Sequence, residues 1–128
     1  MKKKIAILLG SLFLLTACSS AGATDLSAVE FQGKTLESGV FTLDVRTPGE
    51  FIEGHISGAI NIDVEGMNFA TEIEKLDKDA TYAVYCRSGR RSAIAVQTMK
   101  DAGFKNLFNM NAGTEEWSAA GLPLVTGS

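Results

Sequence analysis

Apolar and polar positions along this chain follow two different periods in turn. Val40 to Val45 (Val-Phe-Thr-Leu-Asp-Val) is rich in β-branched and aromatic residues and predicts a strand, as does the shorter run Ala59 to Ile62. Thr81 to Cys86 (Thr-Tyr-Ala-Val-Tyr-Cys) is mostly apolar, the pattern of a central strand covered on both faces. Leu107 to Met110 predicts another strand. Between these runs the spacing is helical. Ala93, Val96 and Met99 mark one face of a helix over Ser92 to Ala102, and Gly103 supplies its stop. Asn68 to Leu76 and Thr114 to Ala119 also read as helices. Leu26 to Glu37, with apolar Leu26, Val29, Phe31 and Leu36, predicts a helix in which Ser27 and Glu30 have capping-box spacing. Pro48 suits the first turn of a short helix through Glu53.

Strands alternating with helices predict an α/β fold with a mainly parallel central sheet and helices on both faces. The 128 residues leave room for one domain. The N-terminus has its own pattern: Lys2, Lys3 and Lys4 precede an apolar run from Ile5 to Leu15, too short for a membrane-spanning helix. Leu15-Thr16-Ala17-Cys18 resembles the lipobox of bacterial lipoproteins. That resemblance implies a signal peptide over residues 1–17, a lipidated Cys18 and a tether over 18–25. A domain over 26–126 would then be held at the membrane on its extracytoplasmic side. Loss of the three lysines leaves 9 basic against 15 acidic side chains. No basic footprint for nucleic acid remains.

Cysteine count sharpens the picture. Lipidation of Cys18 would leave Cys86 as the lone thiol, with no resolving partner inside the domain. One His and one available Cys do not make a zinc site, and no cofactor is implied. Cys86-Arg87-Ser88-Gly89-Arg90-Arg91 follows a central strand and precedes a helix. In such a loop, successive N–H groups form an anion-binding nest, and the helix adds its unpaired N-terminal donors. Gly89 permits positive φ, while Arg87, Arg90 and Arg91 supply charge for a small oxyanion. The same features favour thiolate, so the Cys86 pKa is expected to fall below about 8.5.

Two segments are similar to the signatures of the rhodanese family: Leu43-Asp44-Val45-Arg46-Thr47-Pro48-Gly49-Glu50-Phe51 through His55 to Ile62, and Val84-Tyr85-Cys86-Arg87-Ser88-Gly89-Arg90-Arg91-Ser92. A weaker match runs from Ala102-Gly103-Phe104 to Trp117 and Ala120-Gly121-Leu122-Pro123, with Ala112-Gly113 where the family commonly has Gly-Gly. The resemblance implies a three-layer rhodanese-like fold and double-displacement sulfur transfer. Cys86 would take sulfur from a small sulfur-containing anion such as thiosulfate and pass it, as a persulfide, to a thiol or protein acceptor. Arg87, Ser88, Gly89, Arg90 and Arg91 would bind the donor, with Arg91 the leading sulfonate ligand. Asp44 and Arg46 are read as a structural ion pair at a strand end, His55 as structural rather than a general base, and Trp117 as core.

Two other classes compete. Phosphatase-like proteins of related fold separate their cysteine and arginine by five residues; here that arginine position is Ser92, and the loop is of the shorter type. The domain could also be a non-enzymatic tethered module that takes sulfur only from a docked protein.

Overall fold

The computed structural model describes residues 23–128; the expected signal peptide, Cys18 and most of the tether lie outside them. Five parallel strands run in the order β1-β5-β4-β2-β3: β1 (Thr24–Leu26), β2 (Val40–Asp44), β3 (Ile60–Asn61), β4 (Thr81–Tyr85) and β5 (Asn106–Met110). The helices are α1 (Ala28–Thr35), α2 (Pro48–Glu53), α3 (Phe69–Glu74), α4 (Arg90–Asp101) and α5 (Gly113–Ala119). The sheet is therefore wholly parallel, with the most apolar strand, β4, at its centre.

Period-two alternation along β4 divides the core. Tyr82, Val84 and Cys86 join Phe69 and Ile73 of α3 and Ala95, Val96 and Met99 of α4 on one face. Ala83 and Tyr85 join Ala28 and Phe31 of α1 and Trp117 of α5 on the other. There Phe31 meets Tyr85 and Trp117 edge-on, at centroid separations of 6.0 and 6.4 Å. The Trp117 indole donates to the Pro123 carbonyl at 3.0 Å, so Trp117 is a core residue, as expected. Helices on both faces of one sheet make the expected three layers.

Most elements fall within a residue or two of their sequence-based positions. The exceptions have local causes. Residues 24–26 form a strand paired with β5, so the expected domain start at 26 falls inside β1 and Thr24 and Asp25 belong to the sheet rather than to a tether. Its three residues carry no run of apolar side chains, because an edge strand this short is mostly exposed. The helix after it begins at Ala28 behind the expected cap: Ser27 Oγ accepts from the Glu30 amide, and Glu30 returns the bond to the Ser27 amide. On α4 the buried stripe is Ser92, Ala95, Val96 and Met99, and Ala93 faces outward. Gly103, with φ of 99°, ends that helix.

Candidate active site

The carboxyl ends of β2, β4 and β5 lie side by side, which is where parallel α/β sheets present their sites. The Val45 amide extends the β2–β4 ladder to the Tyr85 carbonyl at 3.0 Å, and Cys86 is the next residue. The chain then turns through Arg87 and Ser88 to Gly89, the N-cap of α4, with φ of 96°. A Cβ on Gly89 would stand 1.8 Å from the Asn111 carbonyl oxygen, so only glycine fits. Gly113, with φ of 66°, is pressed as closely against Arg87, where a Cβ would lie 2.4 Å from the carbonyl carbon and oxygen. The first amides of α5 complete the clamp. Thr114 donates to the Cys86 carbonyl at 3.0 Å and Glu115 to that of Arg87 at 3.2 Å. Ala112 has φ of −106°, which alanine adopts freely, so replacing the first glycine of the pair strains nothing.

The folded loop aims its donors at sulfur. The Gly89 amide reaches Cys86 Sγ at 3.0 Å, and Ser92 Oγ lies 3.4 Å from it. Ser92 Oγ is also 3.2 Å from the Gly89 carbonyl. With Cys86 as a thiol, S–H donates to Ser92, whose own proton goes to Gly89; with Cys86 as a thiolate, that proton can turn to sulfur. Burial pushes the thiol up, but the Ser92 hydroxyl and the backbone donors of Ser92, Gly89 and Ser88 outweigh it and hold the thiol below its ordinary value. The sulfur is also enclosed: Cys86 is 0% exposed.

The loop arginines are not equivalent. Arg87 is exposed, with Nε 3.6 Å from Glu115. Ser88 and Arg90 are exposed. Arg91 sends Nη1 and Nη2 to the two oxygens of Glu50 at 2.7 and 2.9 Å, a paired contact absent from the sequence-based expectation of a sulfonate ligand. This bond, working against burial, pulls the Glu50 carboxyl down to about 2, and Glu50 raises Arg91 above its ordinary range. An opening of about 340 Å³ lies beside the loop, lined by Arg46, Glu50, Glu53, Gly54, Arg87, Thr114 and Leu124. Among the described residues no cluster of His, Cys, Asp and Glu is placed to hold a metal ion.

Residues 27–120 match the family described as Rhodanese-like domain. The chain belongs to the rhodanese-like family. A protein of Allochromatium vinosum named Sulfurtransferase is 31% identical over 86 residues, 67% of this chain and 78% of that protein. An uncharacterized Synechocystis protein, slr1261, is 32% identical over 89 residues, 70% of this chain but only 49% of its own length. Among solved structures, a rhodanese-related protein from Thermoplasma volcanium superposes with a TM-score of 0.70 at 30% identity, covering 80% of this chain and 97% of that one.

Within this rhodanese-like domain the remaining motif residues hold the site together. Asp44, 0% exposed, takes Arg46 Nε at 3.0 and 3.1 Å, Nη2 at 2.6 Å and the Arg46 amide at 2.9 Å. Arg46 Nη2 also donates to the Gly54 carbonyl at 2.6 Å, tying β2 to the end of α2. His55 stacks on Phe51 at 3.7 Å, keeps Nδ1 2.8 Å from the Phe51 carbonyl and exchanges backbone bonds with Val125. Those contacts are structural. Two site residues escaped the sequence reading. Both lie within the family-like segments, but their part in the site had no local mark beyond the capping-box spacing of Glu50 from Thr47 and the place of Ser92 on the first turn after the loop.

Proposed function

We propose that this rhodanese-like protein is a sulfurtransferase that carries sulfane sulfur as a persulfide on Cys86. The observation that carries the reading is the convergence of the Gly89 amide and Ser92 on a thiol held below its ordinary pKa. Cys86 thiolate attacks the outer sulfur of a donor such as thiosulfate; the S–S bond of the donor breaks and sulfite leaves with the electron pair. A thiol or a protein acceptor then takes the outer sulfur and regenerates the thiolate. Donors that stabilise the thiolate also stabilise the anionic persulfide formed from it. Initial rates of sulfite release with cyanide as acceptor test this. Parallel-line, ping-pong kinetics that vanish in Cys86→Ser support it. Turnover of an aryl phosphate without turnover of thiosulfate overturns it.

One observation favours a second reading. Because Cys86 is fully enclosed, a docked protein that opens the loop would load it where a free small donor does not. In that case the domain is a sulfur-delivery module, and Cys86 gains sulfur only in the partner's presence. From the sequence we further propose lipidation at Cys18 and residence at the extracytoplasmic face of a membrane. Loss of detergent-phase partitioning in Cys18→Ala tests the anchor.

A further inference from the structure

A guanidinium placed to receive a sulfonate needs its paired N–H groups free. Arg91 gives them to Glu50, at 2.7 and 2.9 Å, and meets a second carboxylate, Glu65, at 3.7 Å. The Arg91 and Glu50 side chains are only 16% and 27% exposed, so water competes weakly for the pair. Glu50 is also held from behind. Its Oε1 lies 3.1 Å from Thr47 Oγ1 and 3.4 Å from the Thr47 amide, within the capping box of α2. The carboxylate is thus fixed by a secondary-structure element and is not a loose rim side chain. Glu115 faces Arg87 across the loop, and Glu53 lines the opening beside it. Two of the three loop arginines, Arg87 and Arg91, thus face carboxylates of the same chain.

Two donor classes differ sharply in the charge they bring to such a site. Thiosulfate attack combines Cys86–S⁻ with the dianion S–SO₃²⁻ to give Cys86–S–S⁻ and SO₃²⁻, so the reacting group carries a charge of −3 throughout. Attack on a persulfide R–S–SH of an uncharged thiol breaks its S–S bond, and the leaving R–S⁻ takes the proton of the transferred sulfur to give Cys86–S–S⁻ and R–SH; the reacting group carries a charge of −1. A sulfonate must either displace Glu50 from Arg91 or approach beside it, and both are unfavourable in a partly enclosed site. From this we infer that Glu50 is a specificity-determining residue that makes the site select persulfides of small uncharged thiols over dianionic oxyanion donors. The inference rests on the Cys86 sulfur-transfer reading and assigns that site its donor class.

The test compares thiosulfate with 2-hydroxyethyl persulfide on the wild-type protein and on Glu50→Gln, which keeps the shape of the side chain but removes its charge and turns one of its two accepting oxygens into a donor. Wild-type kcat/KM should be at least about tenfold higher for the persulfide. In Glu50→Gln the ratio of thiosulfate to persulfide kcat/KM should rise about tenfold, with the change in the thiosulfate KM rather than kcat. A merely structural loss would lower both donors together and leave the ratio alone. Glu65→Gln, at an exposed and more distant carboxylate, should move the ratio the same way by a smaller factor, and it serves if Glu50→Gln does not fold. Equal use of both donors by the wild type, or an unmoved ratio in the variants, overturns this inference while leaving Cys86 chemistry intact. Failure of both donors to place sulfur on Cys86 overturns the sulfur-transfer reading as well.

Discussion

The backbone amide of Gly89 points at the Cys86 sulfur from 3.0 Å, and the left-handed turn that aims it is open only to glycine. The relationship joins a sequence requirement to a chemical one: a residue with no side chain sets the angle at which a peptide dipole meets a thiol. The sulfur so activated is also enclosed, since Cys86 is 0% exposed.

Thiolate formation should therefore be easy while access is slow. The pH profile of Cys86 alkylation should have its midpoint below about 8.5, at a plateau rate well under that of a free thiol. Ser92→Ala should move the midpoint up, since it removes a donor to the charged form. A folded-state pKa below the unfolded one contributes stability above the ordinary thiol value, and this fades as pH falls through the folded pKa. A wild-type midpoint at or above the ordinary value would count against the geometry.

Glu50, held at about 2 by Arg91, should make stability depend on acid. Its contribution is complete above the ordinary carboxyl range and is lost as pH falls towards about 2. Unfolding titrations should show Glu50→Gln less stable than wild type by about 1–2 kcal/mol at neutral pH, with the difference shrinking below pH about 4. A difference that persists undiminished in acid would assign the loss to packing instead.

How much of this was legible beforehand follows from range. Period-two and period-3.6 patterns, Ser27 with Glu30, and the cysteine loop between β4 and α4 are local, and the chain displays them directly. The Arg91–Glu50 pair joins residues 41 positions apart, and no local pattern marks it. Charge alone therefore suggested three arginines available to an anion, whereas folding engages one of them tightly and faces another with Glu115. Enclosure of Cys86 was equally hidden, because it depends on Gly113 and α5 closing over the loop from elsewhere in the chain. β1 escaped because an exposed edge strand has no apolar stripe to display.

Gly89→Ala and Gly113→Ala should each destabilise the fold by more than about 2 kcal/mol, because each adds a Cβ onto backbone at a positive-φ position. Gly49→Ala, whose Cβ would meet only Thr47 Oγ1 at an ordinary contact distance of 4.0 Å, serves as the control. Urea melts that leave Gly89→Ala as stable as wild type would mean that the loop is not clamped as described.

Arg46→Met leaves the Asp44 carboxylate buried without its partner and should cost about 3–5 kcal/mol. Adding Asp44→Asn should recover part of that loss, which a thermodynamic cycle over the two sites measures. Additive losses would contradict a coupled ion pair.

The central claim is that Cys86 carries sulfur. Intact mass spectrometry of the wild-type domain and of Cys86→Ser, after exposure to a sulfane-sulfur donor and removal of the excess, tests it most directly. The wild type should gain the mass of one sulfur atom, removed by cyanide, and Cys86→Ser should gain none. An unmodified wild type, or an equal gain in the serine variant, would contradict it.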